Sequence, residues 1–184
     1  MLKEAISFKP RQVAKMLLAS LPQRSQDIMS RRYGLEEGEG ETLEAIGKRY
    51  GITRERVRQI EEFSLRGIRK ASPFIAAEAV FAELETALHE YGGVAHEREF
   101  LKHLDKNLTV QNNLHFLLVL GHAFTRLKED DNFHHLWLVD EALARRVHES
   151  LEQVTKSLSN TDLLSEREMV LRLIATLKEP NGDP

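Results

Sequence analysis

Arg54, Glu55, Arg58 and Gln59 sit together in the phrase YGITRERVRQIEE, Tyr50 to Glu62. All four can hydrogen-bond to a base edge: arginine pairs bidentately with guanine, glutamine with adenine, and glutamate accepts from cytosine N4. The same residues also describe an ordinary solvated helix face laced with Glu–Arg pairs. Projection at about 100° per residue separates two faces. Val57, Ile60, Ser64 and Ile68 fall on one side, with Leu65 at its edge. Glu55, Arg58, Gln59, Glu62, Arg66 and Arg69 fall on the other, and Arg54 lies toward the flank near the helix start. A helix that reads DNA presents its N-terminal residues to base edges. Arg54, Glu55, Arg58 and Gln59 are therefore the candidate readers.

Positioning them requires a short helix, a tight turn and a second helix. Thr42 can cap a short helix bearing Leu43 and Ile46, YGI breaks it, and Thr53 can cap the next. Two further helices precede this pair. Val13, Leu17 and Leu18 make one apolar stripe, and Pro22 suits the first turn of a helix carrying Ile28 and Met29. GLEEGEGE is a polar turn, glycine-bearing but acidic and so wrong for cradling phosphate. Two short helices around a Gly-containing turn form a helix-turn-helix pattern.

Charge divides the chain. Of its 184 residues, the first 72 carry 15 Lys and Arg against 10 Asp and Glu; the remainder carries 11 against 19. A basic front half can approach a polyanion, and an acidic back half is unsuited to it by charge alone. The chain has no cysteine, which excludes disulfides and thiolate metal sites. No apolar run reaches the length of a membrane span and no secretory leader opens the chain, so no membrane partner and a cytoplasmic location are expected.

The ordered blocks LPQRSQDIMSRRYGL, TLEAIG and TRERVRQIE resemble region 4 of bacterial primary sigma factors, over about residues 10–71. The resemblance implies a helix-turn-helix that reads a promoter −35 element and touches the flap of the RNA polymerase beta subunit. It implies base contacts from Arg54, Glu55, Arg58 and Gln59, and phosphate contacts from Thr42, Lys48 and Arg56. Two departures stand out. IEEFSLRGIRK places Glu62 on the exposed face and Phe63 at its flank, where the family pattern is more basic. Phe63 is read equally as a plug for a partner and as a cover for its own small core. No segment resembles the sigma region that grips polymerase and opens the −10 element. The chain is expected to be a standalone regulator rather than a whole sigma factor.

Behind this segment, FIAAEAVFAELETALHEYGG reads as one helix, VAHEREFLKHL as a second, and TVQNNLHFLLVLG as a third, capped by Thr109 and closed by Gly121. AFTRLKEDDNFHHLWLVD follows as a hairpin with an acidic tip, KEDDN. Three helices and a hairpin are the order of a winged helix. Residues 76–140 weakly resemble the HARE-HTH winged-helix module. In such modules the third helix and the wing can touch DNA. Here that helix offers Gln111, Asn112 and His115 without Arg or Lys, so protein contact or scaffolding around Phe81, Leu114, Leu117 and Trp137 is the expected role.

Asp140 can cap a long helix with a Leu143, Val147, Leu151 and Val154 stripe, expected to pack on the winged helix and leaving a homodimer open. Ser165 and Glu168 form a capping box for a last helix, and EPNGDP reads as a frayed end. His134–His135 suggests a metal, but adjacent strand residues face opposite ways. No metal-ligand spacing, Walker loop, dinucleotide fingerprint or nucleophile arrangement is present, so neither a cofactor nor an enzyme is expected.

The expected fold is mostly α: a helix-turn-helix domain over 1–72, a winged-helix-like domain over 73–140, and a helical extension over 141–184. The expected function is transcription regulation by binding −35-like duplex DNA. The alternative is an interaction module that mimics sigma region 4 and binds RNA polymerase or another transcription protein without reading DNA.

Overall fold

A computed structural model describes residues 6–36, 38–127, 135–158 and 165–178. The acidic tip at 128–132, His134, the break at 159–162 and the terminal EPNGDP lie outside the described residues. The fold is mostly helical. Four helices open it: α1 (Pro10–Leu18), α2 (Gln23–Tyr33), α3 (Leu43–Tyr50) and α4 (Arg54–Lys70). Then follow α5 (Ser72–Ala76), α6 (Glu78–Tyr91), β1 (Val94–His96), α7 (Glu97–Leu104), α8 (Leu108–Leu120), β2 (Thr125–Leu127) and β3 (Leu136–Leu138). The last helices are α9 (Glu141–Ser157) and α10 (Glu166–Lys178).

Three expectations of local structure need correction. The helix expected across residues 74–91 is two, because the chain breaks at Ala77 between α5 and α6. Val94–His96 form a strand rather than the start of a helix. They pair antiparallel with β3, Val94 opposite Leu138 and Ala95 opposite Trp137. That pairing buries Ala95 and fixes three residues that the local sequence leaves open. The third helix is capped by Asn107, whose side chain accepts from Val110 N at 3.1 Å, and not by Thr109. Asp105 Oδ1 accepts from Asn107 N at 2.6 Å and holds that cap in place.

β2 also pairs antiparallel with β3, giving a three-stranded sheet of order β1-β3-β2. The helix–strand–helix–helix–hairpin order from α6 to β3 is consistent with a winged-helix-like arrangement. Its third helix, α8, is apolar nearly all round: Leu114, Phe116, Leu117, Leu118 and Leu120 are all 0% exposed. A helix of that kind lies inside a core.

That core joins segments expected to be separate domains. Met1–Val139 form one compact unit and Asp140–Pro184 another. Within the first, one cluster contains Ala14, Leu17 and Met29 from the front together with Leu84, Phe100, Leu114 and Trp137. Asn113 Nδ2 donates to Leu35 O at 3.0 Å, and Asn112 Nδ2 donates to Gly34 O at 3.1 Å and Gly38 O at 2.6 Å. Arg69 donates from Nε to Leu120 O at 3.0 Å and from Nη2 to Val119 O at 2.7 Å. It therefore satisfies carbonyls that the end of α8 would otherwise leave bare. This corrects the placement of Arg69 on the exposed face of α4. A smaller cluster of Ile28, Ile46 and Val57 holds α2, α3 and α4 together.

In the second unit, Asp140 Oδ1 accepts from Ala142 N and Leu143 N at 2.8 and 3.1 Å, capping α9. Ser165 and Glu168 exchange the two bonds of a capping box at the start of α10. The two helices pack on each other, and Ala144 and Val154 are buried.

The junction of α7, α8 and the sheet holds a titratable group with a stability consequence. Arg126 grips Glu97 through Nε and Nη2 at 2.5 and 2.9 Å, and His115 Nε2 lies 3.6 Å from the same carboxylate. Burial nevertheless pushes the His115 pKa down from 6.5 to about 4. A depressed histidine binds fewer protons folded than unfolded across that interval. Its stabilising contribution is full above pH 6.5 and lost as the pH falls toward about 4. Glu97, whose pKa is also lowered, loses its contribution only below the ordinary carboxylate value of 4.5. The urea midpoint should therefore fall on acidification from pH 6.5 toward 4.5, and His115→Gln should flatten that slope. An unchanged slope in the variant would assign the acid sensitivity elsewhere.

Candidate nucleic-acid interface

The α3–turn–α4 hairpin is built by local chemistry. Thr42 Oγ1 accepts from Ala45 N and Thr53 Oγ1 accepts from Arg56 N, each at 3.1 Å, so both helices begin at a side-chain cap. Either hydroxyl keeps its own proton to donate. The turn closes on Gly51, whose φ of 64° is left-handed. Gly47 is required by close approach: a Cβ there would lie 2.7 Å from Ile52 O. The chain reverses tightly enough to seat Ile46 against Val57, both 0% exposed.

That packing decides what α4 presents. Val57, Ser64 and Ile68 face inward. Arg54, Glu55, Arg56, Arg58, Gln59, Glu62 and Arg66 are exposed. The four candidate readers thus share the first turns of one protruding helix, with Arg56 beside them. Thr42 and Lys48 are exposed on α3, at its two ends. Phe63 is 72% exposed, so it does not cover its own core.

The exposed charges are not independent. Arg58 holds Glu55 in a fork, Nε to Oε2 at 2.9 Å and Nη2 to Oε1 at 2.8 Å, and reaches Glu62 Oε2 from Nη1 at 3.3 Å. Glu62 also pairs with Arg66 at 3.5 Å. Gln59 donates to Glu55 Oε1 at 3.4 Å and accepts from Arg56 Nη1 at 3.1 Å. The hydrogen bonds from Arg58 hold the Glu55 carboxyl below its usual range, and the Glu55 carboxylate in turn raises the Arg58 guanidinium. Both groups stay charged at neutral pH. Arg58 must leave this fork, at least in part, before it can meet a guanine.

An ionic frame holds α3 on α2. Arg31 bonds Asp27 at 3.2 Å and Glu41 at 3.1 Å, Arg49 reaches Glu41 at 3.4 Å, and the Tyr50 hydroxyl donates to the Asp27 carboxylate. Arg24 lies 5.5 Å from the Tyr50 ring centroid, within cation–π range. Arg24 and Arg66 also border a groove of about 680 Å³ with Arg56, Gln59, Ile60 and Phe63. Arg24 and Arg49 were not among the sequence candidates. Their exposure depends on how α2 and α3 pack, which no helical projection of α4 contains.

The polar side chains of α8, expected to serve protein contact or scaffolding, are engaged within the fold. Gln111 donates to Asp105 O at 2.8 Å, Asn112 is spent on the front-segment carbonyls, and the His115 ring lies tilted beside Tyr33, centroids 5.9 Å apart. Among the described residues no group of three or more His, Asp or Glu could hold a metal ion. No described helix is long and apolar enough to cross a membrane.

Residues 17–70 match the family model described as Sigma-70, region 4. A stretch of 56 residues is 45% identical to an RNA polymerase sigma factor SigA from a Bacillus species. It covers 30% of this chain and 15% of that protein. The match begins at the end of α1 and closes at the end of α4, so it contains every candidate contact residue. Residues 17–70 are a non-catalytic helix-turn-helix module of the sigma-70 region 4 kind.

Proposed function

We propose that the chain regulates transcription in the cytoplasm by binding duplex DNA like a promoter −35 element. Arg54, Glu55, Arg58 and Gln59 read base edges, and Thr42, Lys48 and Arg56 meet phosphates. The observation that carries this reading is the exposed cluster on the first turns of α4, held out by the packed α3 turn. The similarity to a sigma factor adds RNA polymerase, through its beta flap, as the second partner. Residues 73–140, read as a winged helix of the HARE-HTH kind, serve as the scaffold on which the reader rests. The helix–strand–helix–helix–hairpin order supports that assignment, and the burial of α8 supports scaffolding over DNA contact. Residues 141–184 contribute α9 and α10, a helical extension of its own.

One observation favours a second reading, in which this face docks on a transcription protein without reading DNA. Glu62 stands on the presented face, and Arg58 is already bound to it and to Glu55. Glu62→Lys separates the two. Beyond the first turns a recognition helix leaves the groove, so a carboxylate at 62 opposes phosphates whatever the sequence. The substitution should strengthen binding to preferred and random duplexes by similar factors. It should also steepen the salt dependence by about one to two phosphate equivalents. Unchanged affinity and slope would reject the DNA reading of this face in favour of the docking module.

A further inference from the structure

A cavity of about 560 Å³ opens among α2, α4, α8 and the sheet, on residues that no role in the helix-turn-helix uses. That volume lies within the ordinary range for small-molecule sites. Its walls include the rings of Tyr33, Phe124, His115 and Trp137, and the charged side chains of Arg32 and Arg126. Two wall residues carry buried polar atoms without a hydrogen-bond partner among the described residues, Trp137 Nε1 and His115 Nε2. Native folds leave few such atoms unpaired. Trp137 is 2% exposed, and its indole nitrogen can only donate.

The unmet demand of the indole is for an acceptor. Glu61 already serves Arg32 at 3.4 Å, Arg32 Nη1 also donates to Glu41 O at 3.3 Å, and Glu97 serves Arg126 through two bonds. Each guanidinium carries five N–H donors, more than those acceptors absorb. Aromatic walls favour a flat ring, and surplus donors favour an acceptor-rich head group with one negative charge. We propose that this cavity binds a small planar aromatic carboxylate, its ring against Tyr33 and Trp137 and its carboxylate held by Arg32 and Arg126.

Trp137 is the sole tryptophan of the chain and lines the cavity, so in the folded chain its emission senses a ligand seated there. The full chain is titrated with benzoate, with neutral benzamide and ringless acetate as comparators, and saturation-transfer NMR of benzoate runs alongside. Benzoate should give a saturable change in emission and a transfer signal. Benzamide should bind at least about ten-fold more weakly, since a charge-assisted bond is lost, and acetate should give no change. Arg126→Gln should weaken benzoate by about ten-fold and erase its advantage over benzamide. Arg32→Gln gives the same test should freeing Glu97 unfold the first variant. Arg145→Gln, exposed on α9, should change nothing. Non-saturable quenching with no transfer signal would leave the cavity to water, and benzoate binding untouched by both arginine variants would place it elsewhere. Either result overturns the proposal.

Discussion

Phe116→Ala should destabilise the helix-turn-helix together with the helices behind it. Phe116 is 0% exposed on α8, and its ring centroid lies 5.0 Å from that of Tyr33 at the end of α2. Deleting a buried phenylalanine side chain costs about 3–5 kcal/mol, because transfer energy and a residual cavity add. A domain of ordinary stability has only about 5–15 kcal/mol to lose. The cost should reach α3 and α4, although Phe116 touches neither reader nor turn. The front segment has a second, smaller core of Ile28, Ile46 and Val57, but Met29, Leu35 and Ile68 belong to the large one. Urea unfolding followed by Trp137 emission, and by amide exchange within α3 and α4, measures both ends of the shared core. Both should shift to lower urea by the same free energy. A shift in Trp137 emission with unaltered exchange in α3 and α4 would show that the front segment stands on its small core alone.

The same coupling explains what the sequence could and could not reveal. Caps are local chemistry, so Thr42, Thr53, Asp140 and the Ser165–Glu168 box were legible from residue type and spacing. The two faces of α4 were legible because burial on one side repeats at helical spacing. Arg69 was misplaced by the same projection. It stands on the polar side of the helix, yet the open carbonyls of Val119 and Leu120 draw it inward, and they lie 50 and 51 residues away.

Long-range pairing hid the rest. Val94–His96 take up a strand only because β3 offers its edge, and VAHEREF carries no signal for that partner. Asn112 and Asn113 stand as amides on an apolar helix, with no local sign of what they bond. Their actual acceptors, around Gly34 and Leu35, lie 78 residues away for the Gly34 and Leu35 bonds. The uniform apolarity of α8 marks it as central without saying what surrounds it. A boundary near residue 72 follows from the change in charge, since charge patterning is a surface property. The core beneath that surface crosses the boundary.

The largest expected effect on recognition belongs to Arg58. Truncation to alanine should weaken binding to the preferred duplex by about 5- to 150-fold, the range for one bidentate arginine–guanine contact. Random duplex should lose much less, because only one charge near the phosphates is removed. The fork to Glu55 complicates the alanine result, since it also frees a carboxylate that Arg58 had neutralised. Part of any loss would then be general repulsion. Arg58→Lys resolves this. Lysine keeps the charge that offsets Glu55 but lacks the planar fork that matches guanine. If Arg58 reads a base, the lysine variant should bind the preferred site nearly as poorly as the alanine variant, yet bind random duplex nearly as well as the unaltered chain. If Arg58 only balances Glu55 and Glu62, lysine should restore both affinities together. Competition binding at one fixed salt concentration, with preferred and random duplexes of equal length, reads the difference directly. Full restoration on the preferred site would remove Arg58 from the set of base readers.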